Sequence, residues 1–221
     1  MREVVSWPER LLHPLPESLS AEDGAMLEPL GVAMHAVNLA GLKPGMTVGI
    51  YGCGPIGLLI LQLAKASGAA QIIATEIMAH RLDAARARGA DLVLDASQGL
   101  EGNEVLKATG GRGVDVAFEA AGVNAAVDTA VTTAKPGGKV MLAGIPAEDR
   151  TSFSASTARR KGLTFMLVRR MKQTYPRAIR LVDTGIVDVR SLVTHSFPLE
   201  EGARAFQLAC ERQGLKIVLK P

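Results

Sequence analysis

An apolar stretch, Thr47 to Tyr51, runs directly into Gly52-Cys53-Gly54-Pro55-Ile56-Gly57, which opens a second apolar run continuing to Ala64. The glycines fit G-x-G-x-x-G, and the pattern carries weight because it follows a strand and starts a helix. Gly52 permits the tight turn, Gly54 lets the backbone approach a pyrophosphate, and Gly57 lets helix and strand pack closely. The helix N-terminus offers free N–H groups to phosphate oxygens. Such a strand and helix are the first half of a βαβ unit, which demands a second, parallel strand.

The chain downstream supplies it repeatedly. Strand Thr47–Tyr51 precedes helix Pro55–Ser67, Gln71–Thr75 precedes Ala79–Arg88, Leu92–Leu94 precedes Asn103–Thr109, and Val114–Phe118 precedes Asn124–Ala134. Strands Lys139–Ala143 and Leu163–Val168 follow, then helices Tyr175–Thr184 and Leu199–Glu211 and a last strand, Lys216–Leu219. Ahead of the motif, Ser20-Ala21-Glu22-Asp23 reads as a helix start, with a helix-like stretch from Ala25 to Leu39 ending at Gly41. The pattern predicts an α/β fold, a doubly wound parallel Rossmann sheet of about six strands. Only 4% of the residues are aromatic and 23 are glycine, so the core must rest on Ala, Val, Leu and Ile, which suit helices packed on a parallel sheet.

Glu76 ends the second predicted strand about 20 residues beyond the glycines, where a carboxylate can accept hydrogen bonds from both adenosine ribose hydroxyls. It would repel a 2′-phosphate, so NAD is expected rather than NADP. Two other readings fit the motif alone: a tight strand-to-helix connection with Glu76 as a solvated strand end, and an S-adenosylmethionine-dependent methyltransferase, which also uses a glycine-rich first turn and an acidic residue after the second strand.

Other functions are disfavoured. A balance of 25 Lys and Arg against 22 Asp and Glu is too even for nucleic acid as the main partner. The basic cluster Arg159-Arg160-Lys161 with Arg169, Arg170 and Lys172 offers no run of aromatics for base stacking and reads as solvated surface plus one cofactor arginine. No run approaches the roughly 18 apolar residues of a membrane span. Met1, Arg2, Glu3 and Pro8 offer no apolar signal segment. Two cysteines, Cys53 and Cys210, supply neither a disulfide framework nor a four-thiolate zinc site, so a reducing cytoplasm is the expected compartment.

Further segments keep a shared order and spacing: Leu27-Glu28-Pro29-Leu30 before a helix holding His35, Gly41-Leu42-Lys43-Pro44-Gly45, the glycine motif with Pro55, Arg88-Gly89-Ala90-Asp91, Lys135-Pro136-Gly137-Gly138-Lys139-Val140, Leu192 to Glu200, and Leu215 to Leu219. Together they resemble the zinc-type medium-chain alcohol dehydrogenases, within them the polyol branch of sorbitol and xylitol dehydrogenases, with threonine dehydrogenase as close kin. The resemblance covers nearly the whole chain. It implies a secondary alcohol plus NAD giving a ketone plus NADH, a small alcohol or polyol as substrate, and a homodimer or homotetramer. It also implies residues 27–194 as the NAD-binding Rossmann domain, flanked by 1–26 and 195–221 as pieces of a GroES-like catalytic domain.

The resemblance carries roles over one position at a time. Gly52, Gly54, Pro55, Ile56 and Gly57 fall at the pyrophosphate, Glu76 at the ribose, and Arg81 beside the adenosine, where it is otherwise a plain helix residue. Ala143-Gly144-Ile145 match where backbone reaches the nicotinamide, and Val168-Arg169-Arg170 match the strand closing that pocket. Met171 replaces an aromatic residue of the sorbitol enzymes, a departure in the substrate region.

Zinc in these enzymes is held by a Cys and a His-Glu pair of the N-terminal catalytic domain. No Cys or His precedes His13 here, so zinc is not expected in this chain. Glu28 resembles the glutamate beside that zinc; alternatively it is a helix-start carboxylate stabilised by the helix dipole. His35 and His195 are isolated and read as packing residues. Cys53 reads as a small residue tolerated beside the second glycine, although a helix N-terminus could lower its pKa. A non-catalytic NAD(H)-binding module is the alternative to an enzyme.

Overall fold

The computed structural model describes residues 3–221; Met1 and Arg2, the opening positions of the expected 1–26 segment, lie outside them. Six strands, β1 (Thr47–Tyr51), β2 (Gln71–Glu76), β3 (Leu92–Asp95), β4 (Val114–Glu119), β5 (Ala134–Leu142) and β6 (Thr164–Leu167), form one sheet in the order β3-β2-β1-β4-β5-β6. Every pairing is parallel. The order reverses between β1 and β4, so their C-terminal ends open a crevice where the connecting chains run in opposite directions.

Residue alternation explains why both faces are covered. Val48 and Ile50 of β1 join Ile72, Ala74, Val116 and Phe118 in one core, against α1 (Ala21–Ala40), α2 (Pro55–Ala66), α3 (Ala79–Ala87) and α7 (Tyr175–Asp183). Tyr51, Ile73, Val114 and Ala117 face the other way, onto α4 (Glu101–Ala108), α5 (Asn124–Thr133) and α6 (Ala155–Lys161). A strand flanked by helices on both sides must be apolar at nearly every position, and all five residues of β1 are buried.

Helix α1 starts at Ala21, before the expected Ala25, because Ser20 and Asp23 form a capping box. The Ser20 hydroxyl accepts from the Asp23 N–H at 3.2 Å, and Asp23 Oδ2 accepts from the Ser20 N–H at 2.9 Å. Asp23 also receives Arg190, whose Nε lies at 3.2 Å, and this bond is the main cause holding the buried carboxyl below its ordinary range. The helix runs unbroken across position 26 and accommodates Pro29 within it.

Three elements depart from expectation. Helix α6 is absent from the apolar pattern because only Ala158 of its seven residues is buried. The expected helix Leu199–Glu211 is a 3-10 turn, Leu199–Glu201, followed by α8 (Gly202–Cys210). The last strand, β8 (Lys216–Lys220), lies outside the main sheet and pairs in parallel with an unexpected β7 (Val193–Pro198). Lys161 also departs from the solvated-surface reading: its Nζ donates to the carbonyls of Thr132 at 2.5 Å and Ala134 at 2.8 Å, closing the C-terminal end of α5.

Candidate functional site

The three motif glycines occupy three different environments. Gly52 has φ +103°, and a Cβ there would lie 2.7 Å from the Ala121 nitrogen. At Gly57 a Cβ would lie 1.9 Å from the Gly52 carbonyl oxygen, so its absence is what seats α2 against the turn. Gly54, the N-cap of α2, has an ordinary φ of −67°, and a Cβ would meet only Arg81 Nη1 at 3.8 Å. Nothing inside the protein requires glycine at position 54. The space in front of it belongs to a cleft of about 370 Å³ at the C-terminal ends of β1, β2 and β4.

Glu76 lines that cleft and organises its floor. Its Oε2 accepts from the Cys53 N–H at 2.9 Å, and its Oε1 accepts from the N–H groups of Ile77 at 2.7 Å and Met78 at 3.2 Å. A carboxylate offers about four acceptor sites, so these three donors leave one for a ligand hydroxyl. Arg81 Nη1 stands 3.9 Å from Glu76 Oε2, placing the guanidinium across the glycine turn. The cleft thus has a cation facing the phosphate position and a carboxylate beyond it. Two half-exposed apolar side chains, Ile77 and Val123, line it as well.

The remaining expected residues distribute along the same edge of the sheet. Pro55 and Ile56 form the first turn of α2, where the leading N–H groups have no intrahelical partner. Ala143 and Gly144 follow β5, their N–H groups donating to the Glu119 carbonyl at 2.9 and 3.0 Å, and Ile145 is 91% exposed. Glu119 itself is buried and accepts from Ala121 at 2.8 Å and Gly122 at 2.6 Å, while burial pushes its carboxyl above the ordinary range. Val168 continues β6 by donating to the Leu142 carbonyl at 2.9 Å, followed by exposed Arg169 and Arg170. These residues stand beyond β4 and do not line the 370 Å³ cleft.

Glu28 is exposed in the interior of α1, well past the capped start, which removes the helix-start alternative. Cys53 is fully buried, its thiol pushed up to about 12 mainly by burial and further by the nearby Glu76, so the helix N-terminus does not activate it. His35 has its pKa lowered, chiefly by burial. His195 pairs with its neighbour Thr194 at 3.1 Å. Among the described residues no three His, Cys, Asp or Glu side chains gather as a metal site, and Glu28 has no second ligand.

Two contributors lay outside the motif. Arg212, in the turn after α8, lines the cleft, and its segment is docked by His80 Nε2 donating to the Gly214 carbonyl at 3.2 Å. Glu101, the first residue of α4, lines it from the β3 side. No local sequence signal marks either position, because both depend on how distant segments meet.

The family model described as zinc-binding dehydrogenase matches residues 55–184. The chain belongs to that family. It is 35% identical over 209 residues to sorbitol dehydrogenase of Bacillus subtilis, covering 94% of this chain and 59% of that protein. A protein described as a short chain alcohol dehydrogenase of Escherichia coli CFT073, complexed with the cofactor NADH, superposes with a TM-score of 0.88 at 26% identity, covering 97% of this chain and 64% of that one. A Sinorhizobium meliloti 1021 protein bound to NADP gives 0.86 at 30% identity, covering 94% and 61%. The chain spans about three-fifths of the length of the curated relatives it matches.

Proposed function

We propose that this chain is the NAD(H)-binding part of a dehydrogenase that oxidises a secondary alcohol, of the polyol class, to a ketone. The observation that carries the proposal is the open space in front of Gly54, a glycine with no internal reason to be one, bounded by Arg81 and Glu76. A pyrophosphate seated there would meet the leading N–H groups of α2 and the Arg81 guanidinium. Ile77 and Val123 would enclose the adenine, and the segment Ala143–Ile145 with Val168–Arg170 would border the nicotinamide. The bound cofactor supplies a ring that accepts a hydride from the alcohol carbon.

Glu76 selects the cofactor in this proposal. A 2′-phosphate would bring negative charge within about 4–5 Å of the carboxylate, worth roughly 1–4 kcal/mol at the dielectric of a protein surface. NADH should therefore bind roughly tenfold or more tightly than NADPH. Calorimetric titration of both dinucleotides checks it, with Glu76→Ala expected to narrow the difference; equal affinities in the unmodified chain would sink the NAD assignment. No binding of either would sink the dehydrogenase reading in favour of another use of the fold.

Zinc is not expected in this chain, because Glu28 has no second ligand beside it among the described residues. In the proposed organisation 27–194 is the cofactor-binding unit, with α1 spanning its first boundary, and 1–26 and 195–221 belong with the part that positions the alcohol. We further propose self-association through the edge strand β6, whose Leu167 is 76% exposed beside an unpaired strand edge. A cytoplasmic setting suits the two free cysteines, and no described helix is long and apolar enough to cross a membrane. A non-catalytic NAD(H)-binding module would show the same cofactor binding without turnover.

A further inference from the structure

Arg212 occupies a backbone position that suits glycine better. It follows α8 with φ +56°, in the left-handed region that side chains rarely adopt, and its N–H donates to the Ala209 carbonyl at 3.1 Å, ending the helix as a left-handed cap. Glycine takes that conformation without strain. The guanidinium gives the fold nothing visible in return: Arg212 is exposed and forms no ion pair among the described residues. It lines the cleft instead. Its segment is held there from two sides, by His80 Nε2 on the Gly214 carbonyl at 3.2 Å and by the Leu215 N–H on Thr194 Oγ1 at 3.0 Å.

Charge decides what this cation is for. Four charged side chains line the cleft, Glu76, Glu101, Arg81 and Arg212, so their formal charges cancel. Without Arg212 the balance would be negative. Arg81 already stands 3.9 Å from Glu76, and Glu101 has no cation paired with it among the described residues. A pyrophosphate brings two negative charges to this lining and would be repelled by a net negative wall. Charges act on one another across a Debye length of about 10 Å at 0.1 M salt, and a cleft with low-dielectric walls focuses the field. Arg212 can therefore act on the phosphates from the rim, without touching them.

We propose that Arg212 is the cation that offsets the carboxylates of the cleft, so that the C-terminal segment draws in the anionic pyrophosphate of the dinucleotide and sets its affinity. The inference rests on the NAD(H)-binding proposal and adds a binding determinant that lies outside the glycine motif.

The test is fluorescence titration of NADH into the 221-residue chain and its variants, with a thermal melt of each. Arg212→Gly relieves the left-handed strain and removes the charge, so it should melt at or above the unmodified chain while binding NADH about three- to tenfold more weakly at low salt. Arg212→Lys keeps the charge and should bind within roughly twofold of the unmodified chain. At about 1 M salt, where the Debye length falls to about 3 Å, the glycine variant should also come within roughly twofold. Arg212→Gln provides the same comparison should the glycine variant fail to fold. A cation serving only the end of α8 would do the reverse, lowering Tm and leaving affinity as it was, and that result would overturn the inference. A loss that lysine does not restore, or that persists at high salt, would overturn it as well. NADH binding by the unmodified chain stands in all those cases; its absence would sink the NAD(H) proposal and this assignment together.

Discussion

Two glycines of one turn should fail in opposite ways when substituted. At Gly57 a Cβ would lie 1.9 Å from the Gly52 carbonyl oxygen, and ordinary contact begins at 3.4 Å, so helix and turn must part by about 1.5 Å. Both groups are backbone, and no rotamer change relieves the clash. Overpacking typically costs 1–3 kcal/mol, and this rigid contact puts Gly57→Ala at about 3 kcal/mol or more. At roughly 2–4 °C per kcal/mol for a chain of this size, Tm should fall by about 6–12 °C. Gly54→Val introduces no such contact: the nearest atom to its Cβ is Arg81 Nη1 at 3.8 Å, and φ of −67° suits any L-residue. Its stability should stay within about 1 kcal/mol, the usual scale of an N-cap change, while the side chain occupies the pyrophosphate position and NADH affinity drops roughly tenfold or more. Scanning fluorimetry and NADH titration on the two variants read both quantities. A native-like Tm for Gly57→Ala, or unchanged affinity in Gly54→Val, would refute this division of labour.

Asp115 should give the fold a measurable acid limit. It accepts from the Thr47 N–H at 2.8 Å, from Arg112 at 3.0 and 3.1 Å and from Lys135 at 2.5 Å, and the Arg112 hydrogen bond leads in holding its carboxyl well below the usual range. Because its folded pKa is depressed, its contribution is full above the unfolded value near 4 and is lost as pH falls toward the folded one. Asp115→Asn should cost about 1–3 kcal/mol at pH 7, a range discounted for the exposure of both cations. In urea unfolding that gap should shrink below about pH 4; a gap constant from pH 7 to 3 would contradict it. Light scattering at micromolar concentration should show a mass above one chain, reduced by Leu167→Lys on the edge strand, and a monomer throughout would remove β6 as an association surface.

The fold was legible where apolar residues repeat locally. Strands buried on both faces and helices with one long apolar side announce themselves, which is why the alternation through β4 and the Gly52–Gly57 turn could be read directly from the chain. Elements without that signature could not. Helix α6 buries one alanine, and β7 alternates half-buried and exposed residues around a partner that arrives only after α8. Site residues divide the same way. Glu76 stands at a fixed spacing from the glycines, so its place follows from the motif. Glu101 fell ahead of the expected Asn103 helix start, and its side chain is held in the cleft wall by Thr129 across the α4–α5 contact. Lys161 looked like surface charge because the carbonyls it caps lie about thirty residues away, where α5 meets β5.

Arg212 gives the cleft a history. It stands just before β8, and the wall it forms exists only once β8 has paired with β7 and the Gly214 carbonyl has met His80. On a ribosome adding about 5–20 residues per second, the six strands of the main sheet are available before that final turn emerges. The nascent chain therefore presents its glycine turn and Glu76 first and gains the Arg212 cation only after the whole main sheet has been made. Losing Arg212 and β8 would loosen the grip on a ligand while leaving the sheet that carries the turn in place.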